Sequence, residues 1–383
     1  MITAHFLRWL LIFAVAISSC SSEANQPLSE TSQPAVVTPT TPPSRYGFFP
    51  TVIPTNSASI PVTWASLNLS GKLVYSMGAV DEDDNYIVQI QVLDLATGKI
   101  TVAYRAPLNG WIYYASASPD GKQVVMSYSP PPGENPDIVQ ALYVMPLDGS
   151  KAPELLFMPP TPGDQYIQAE WSPDGKYIYY THISYRIEDP NQVYPFYKIF
   201  RMEYPVRGGG QEESIAEGAY WPRLSPDSSR LVYISVDPLS IQNKLIVADS
   251  DGGNAQEVVM SGSYIPEIKT APIFSPDGKS IMFSGVAPVQ SYQPNWLEKL
   301  AGIRIAKAEG EPSDWWSVPV DGGEITRVTN IRHRSLYASF SPDNQYVASF
   351  NRDNIFVMKP DGSELTILIS ELHGFSSIGS WIP

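Results

Sequence analysis

From about residue 64 onward, short apolar runs of strand length recur along the chain, each introduced by the same polar punctuation. The runs 123–127, 176–180, 230–234 and 280–284 are β-branched and aromatic, with strand composition rather than helical period. Each follows Ser-Pro-Asp-Gly or a remnant of it. The tetrapeptide is intact at Ser118-Pro119-Asp120, Ser172-Pro173-Asp174 and Ser275-Pro276-Asp277, each with its glycine. The glycine is lost after Ser225-Pro226-Asp227 and Ser341-Pro342-Asp343, and a worn copy begins at Asn68. Counted between first residues (68, 118, 172, 225, 275, 341), the spacings are 50, 54, 53, 50 and 66. A period of that size marks a repeat architecture.

The punctuation has a chemical reason. Serine, proline, aspartate and glycine are the preferred residues at successive positions of a type I turn, so each copy is read as a structural hairpin turn rather than a catalytic loop. The second half of each unit carries another hairpin signal, Asp-Gly between apolar runs, as at Asp148-Gly149, Asp251-Gly252, Asp321-Gly322 and Asp361-Gly362. One strand before and one after each turn gives four strands per unit. Repeated around an axis, such units make a β-propeller, and the six copies predict an all-β, six-bladed propeller of four-stranded antiparallel blades.

The Ser-Pro-Asp-Gly-Lys turn with its strand, followed by a Tyr-Val-Met-x-x-Asp-Gly hairpin, resembles the TolB-type, WD-like propeller repeat. The resemblance covers residues 64–383 and five of the six repeats. It implies the fold, not a role: TolB carries an α/β domain before its propeller, where this sequence has a linker. Similar propellers also precede the hydrolase domain of prolyl-oligopeptidase-like enzymes, and no such domain is present in this sequence.

The N-terminus reads differently. Residues 1–19 have Arg8 and then an apolar stretch, the pattern of a secretory signal. The signal ends before Cys20, and the stretch resembles a bacterial lipoprotein signal with Cys20 as the lipidated residue; an ordinary signal with an incidental cysteine is the other reading. Cys20 is the only cysteine, so no intrachain disulfide can form. Residues 20–60 are rich in Ser, Thr and Pro and read as a disordered tether, leaving 61–383 for the propeller. The expected address is the outer side of a bacterial membrane, facing periplasm or exterior. Losing Arg8 with the signal changes the charge from −14 to −15, and so acidic a chain argues against a nucleic-acid partner. A monomer is expected.

The closing segment Gly379-Ser380-Trp381 resembles Ala169-Glu170-Trp171, an inner strand with no blade behind it. It is expected to join the first blade and remove the open edge; an inner strand at 62–67 is the alternative. Ser-Pro-Asp and Asp-Gly turns share one face of a propeller. The opposite face then receives the long connections 129–137, 159–165, 185–194, 286–312 and 330–335, and binding residues concentrate on such loops. Tyr185, Arg186, Tyr194, Tyr292, Trp296 and Trp315 are the aromatic and basic candidates there, suited to stacking on sugars or gripping a peptide. Trp296 also sits on a short amphipathic helix capped by Asn295, as a lid or as a partner anchor. Arg332, His333 and Arg334 form a basic cluster suited to a carboxylate or phosphate.

Catalytic motifs are missing: no Gly-x-Ser-x-Gly elbow, no His-Glu-x-x-His, no phosphate loop. No cofactor or metal is expected, although His182, His333 and His373 are placed towards one face. Two function classes follow. The first is a non-catalytic binding or scaffolding module for an envelope protein, peptide or glycan. The second is a carbohydrate-active lyase or hydrolase, which requires paired carboxylates or convergent histidines at the channel mouth.

Overall fold

The computed structural model describes residues 57–80, 83, 85–131, 140–185, 195–206, 211–236, 242–287, 312–333, 336–370 and 379–383. The repeats fold as six antiparallel blades around an axis. From the axis outward, blade two is Trp111–Ala117, Gln123–Ser129, Ala141–Pro146 and Glu154–Phe157. Blades three to six repeat the pattern, with inner strands Gln165–Trp171, Ala219–Leu224, Glu267–Phe274 and Tyr337–Phe340.

Blade one is the composite. Its innermost strand is Gly379–Ile382, from the far end of the sequence, paired with Lys72–Val80. Trp381 fastens it: its amide donates to Ser339 Oγ at 2.9 Å, and its Nε1 donates to the Ser70 carbonyl at 2.9 Å. Gly71 lets the two ends meet, since a Cβ there would stand 2.3 Å from the Ile382 carbonyl oxygen. The alternative inner strand at 62–67 does not form. Ala65–Leu67 is a 3-10 turn, and Trp64 is buried with its Nε1 donating to the Leu95 carbonyl. The fold starts before residue 61: Ser57–Ser59 adds a fifth, outer strand to blade one against Lys99–Arg105.

The Ser-Pro-Asp copies are the turns their residues dictate. In all five, the amide of the fourth residue donates to the serine carbonyl at 2.8 Å. The serine hydroxyl donates to the aspartate and accepts the amide five residues on, as in Ser225 to Asp227 and Arg230 to Ser225. Glycine serves the fourth position because φ is positive there, 67° at Gly121; Ser228 and Asn344 take the same left-handed region at 62°.

Hydrogen bonds from Ser225 and Ser229 hold the Asp227 carboxyl down to about 2, against an ordinary 3.8. A carboxyl depressed in the folded state stabilises fully above its unfolded pKa and ceases to do so as pH falls through the folded value. Asp227→Asn is therefore expected to lower the melting temperature at pH 7 and to leave it unchanged near pH 2. Thermal melts across that window check it; a deficit that persists at pH 2 contradicts the account.

Candidate functional site

Propeller inner strands normally run straight past the axis, but here several are bent at a common level. Register shifts interrupt the pairing of the inner strand in blades two, three, four and five. At three of them a non-glycine residue is left-handed: Gln168 (φ 57°), Trp221 (φ 59°) and Ala271 (φ 54°). Bulges re-aim side chains, and strained backbone of this kind gathers at functional sites.

The bulges direct an aromatic plug into the channel. Trp221 of blade four packs edge-on against Tyr114 of blade two, ring centroids 5.5 Å apart, and against Tyr337 of blade six at 5.2 Å. Trp221 and Tyr337 are each 4% exposed. Gln168 of blade three locks the assembly: its Oε1 accepts the Trp221 amide at 2.9 Å and the Thr181 hydroxyl at 2.7 Å, and its side chain also bonds Tyr114. Four blades thus meet at one sealed floor.

Above this floor, towards the long connections, tyrosines of blades two, three and four gather. Tyr197 and Tyr220 pack with centroids 5.4 Å apart. Tyr113, on the inner strand of blade two, and Tyr185, at the end of the second strand of blade three, are exposed by 36% and 53%. Burial raises the pKa of Tyr113 and of Tyr197, and in each case nearby Tyr185 adds to the rise. Burial likewise pushes Tyr114 and Tyr220 up. These phenols therefore stay protonated at neutral pH, as stacking surfaces with a hydrogen-bond donor at the tip.

Exposed apolar residues favour the same face. Of the ten large ones among the described residues, Val80, Leu108, Tyr113, Tyr185, Tyr264 and Ile265 lie on or beside the long-connection face, and the rest are scattered on outer strands and their connections.

The sequence-based candidates separate on this framework. Tyr185 stands exposed beside Tyr113 and Tyr197. Trp315 does not: it lies in the third strand of blade five (Asp314–Pro319), wholly buried, its Nε1 donating to Ser349 Oγ at 2.8 Å. Bonded to blade six and wholly buried, Trp315 is a core residue. Arg332 is exposed, but its backbone is committed, with its amide donating to Asp314 Oδ1 at 3.1 Å. His333 pairs through its backbone with Ser313, and its ring lies against Phe356. Arg186, Tyr194, Tyr292, Trp296, Arg334, His373 and Cys20 lie outside the described residues, as does the short helix expected at 295–300.

His182 pairs with a carboxylate instead of other histidines. Its Nε2 is 2.9 Å from Asp164 Oδ2, and Ser184 Oγ donates to the other oxygen of that carboxylate at 3.1 Å. The serine bonds the aspartate rather than the histidine, so the three do not form a nucleophile relay. Among the described residues no three His, Cys, Asp or Glu side chains gather where they could hold a metal.

Asp314 anchors the connection carrying Arg332 and His333. Nearly fully buried, it accepts the amides of Ile331 (2.7 Å) and Arg332 and pairs with Arg327. Asp314→Ala leaves those donors without their acceptor and is expected to cost about 2–3 kcal/mol, measured by urea denaturation. A loss within the error of that measurement contradicts the assignment.

No family model matches the chain, and no curated protein matches it in sequence. Solved structures do match in fold. TolB from Acinetobacter baumannii superposes with a TM-score of 0.54 at 17% identity, over 82% of this chain and 67% of that one. A putative TolB from Agrobacterium tumefaciens gives 0.50 at 17% identity, covering 82% of this chain and all of its own (100%). A chain from a nidogen–laminin complex gives 0.52 at 9% identity, over 81% and 98%. At such identities the likeness is one of fold: this is an all-β, six-bladed, TolB-like β-propeller.

Proposed function

We propose that the protein is a non-catalytic binding or scaffolding module that engages a partner through the long-connection face, with the tyrosine recess at its centre. The observation that carries this reading is the tyrosine cluster itself: Tyr113, Tyr185, Tyr197 and Tyr220 gathered on the long-connection side of Trp221. Rigid aromatics give large contact area at small entropic cost and dominate the energetics of protein recognition. A protein or peptide segment suits the surface better than a glycan. Leu108, Ile265 and Val80, exposed on the same face, present aliphatic groups that offer no hydrogen bond to sugar hydroxyls.

The N-terminal sequence supports an extracytoplasmic setting for this module, tethered to a bacterial membrane through lipid on Cys20. A polar, proline-rich tether lets a rigid head sample partners near the membrane surface. The partner is then an envelope protein, and the propeller works as a monomer. Panning displayed peptides on the purified protein, with a counter-screen on the Tyr113→Ala/Tyr185→Ala double variant, tests the reading. Enriched peptides that need those two rings support it; peptides that bind the variant equally well refute it.

A further inference from the structure

The other end of the channel is built differently. Two residues before the serine of each Ser-Pro-Asp turn, the repeats place Ser116, Glu170, Arg223, Ile273 and Ser339, and the closing strand places Ser380 at the equivalent position. Contacts between blades tie this ring together. Glu170 accepts Arg223 Nη1 on Oε1 at 2.5 Å and the Ser116 hydroxyl on Oε2 at 3.0 Å. Ser339 Oγ and Ser380 Oγ accept the amides of Trp381 and Ala117, which leaves each hydroxyl hydrogen without an acceptor among the described residues.

A recess of about 180 Å3 opens here on the tight-turn face. Glu170 and Arg223 form its polar floor, Ile273, Phe274 and Phe340 stand as apolar wall, and Pro226 sits on the rim. Behind it the channel is closed by Gln168 and Trp221, two residues further in on the same strands as Glu170 and Arg223. Whatever enters must therefore end there. Arg223 is only 14% exposed at its side chain, yet its Nε and Nη2 have no partner among the described residues. Guanidinium donors with no protein acceptor, facing an open recess, are free to take a ligand's oxygens in a charge-assisted pair.

We propose that this second recess binds a terminal α-carboxylate with an N–H donor beside it, on a residue with an apolar side chain. The carboxylate takes the idle Arg223 donors and the Ser339 hydroxyl. The adjacent N–H donates to Glu170, and the side chain lies against Phe274 and Phe340. A phosphate, carrying more charge than a carboxylate, would meet stronger repulsion from Glu170. A free amino acid and the last residue of a peptide share this chemistry, and the site is independent of the tyrosine recess on the opposite face.

Titration calorimetry of the purified protein with leucine, N-acetyl-leucine and N-acetyl-leucinamide tests the proposal. The carboxylates are expected to bind and the amide to bind at least about tenfold more weakly. Binding of leucine alone assigns a free amino acid; binding of N-acetyl-leucine assigns a peptide end. Arg223→Gln is expected to weaken the carboxylate about tenfold. Because that change leaves Glu170 alone in the recess, Pro226→Glu on the exposed rim provides a second variant. It is expected to weaken binding several-fold by charge repulsion, with only the small fall in melting temperature that losing a turn proline brings. Equal binding of the amide, no binding of either carboxylate at millimolar concentration, or full affinity in Pro226→Glu overturns the proposal.

Discussion

Trp221→Ala is expected to destabilise the protein by about 3–5 kcal/mol, the range for removing a large buried aromatic. Trp221 touches the inner strands of two blades not adjacent to its own, through Tyr114 and Tyr337. Its removal leaves a hole where blades two, four and six meet, and blades cannot close inward to fill it because each is held by its own ladder. Trp221→Phe keeps most of the ring contact and should recover more than half of the loss. Urea unfolding followed by circular dichroism measures both. If alanine costs under about 1 kcal/mol, as a surface substitution would, the plug is not a structural floor.

The second large effect concerns binding. Tyr113→Ala with Tyr185→Ala is expected to weaken a recess-directed peptide by about a hundredfold, since each central aromatic anchor accounts for about 1–2 kcal/mol. Stability should barely move, because both rings are substantially exposed. The pairing of large affinity loss with small stability loss is what separates a binding rim from a packing residue. Trp221→Ala should show the reverse emphasis. A double variant that melts early but binds normally would place Tyr113 and Tyr185 in the fold's support instead.

The architecture was legible because its determinants are local and repeated. Ser118, Ser172, Ser225, Ser275 and Ser341 each do the same two things, donating to an aspartate two residues on and accepting an amide five residues on. Nothing distant is needed to read such a turn. Closure by Gly379–Ile382 was legible for a related reason, since that strand repeats the pattern of Ala169-Glu170-Trp171 without a blade of its own.

The centre of the site was less legible. Tyr185 could be found because it opens a long connection. Tyr113, Tyr114, Tyr197, Tyr220 and Trp221 lie inside strands, where an aromatic reads as core. What brings them together is a set of bulges, with Gln168 and Trp221 in a left-handed conformation that local propensity disfavours. Trp315 is the opposite case: it stands just after a long insertion, but its side chain is wholly buried in a strand of the core. The column Ser116, Glu170, Arg223, Ile273, Ser339, Ser380 stood in the repeats throughout, and aligning them two residues before each turn would have exposed it.

Hydrogen–deuterium exchange, with and without a panned peptide, tests the central claim most directly. The account predicts slowed exchange at residues 106–117, 182–185, 195–200 and 218–222, which surround the tyrosine recess, with the Ser-Pro-Asp turns unaffected. Protection confined to the tight-turn face, or spread over the outer strands, would contradict it.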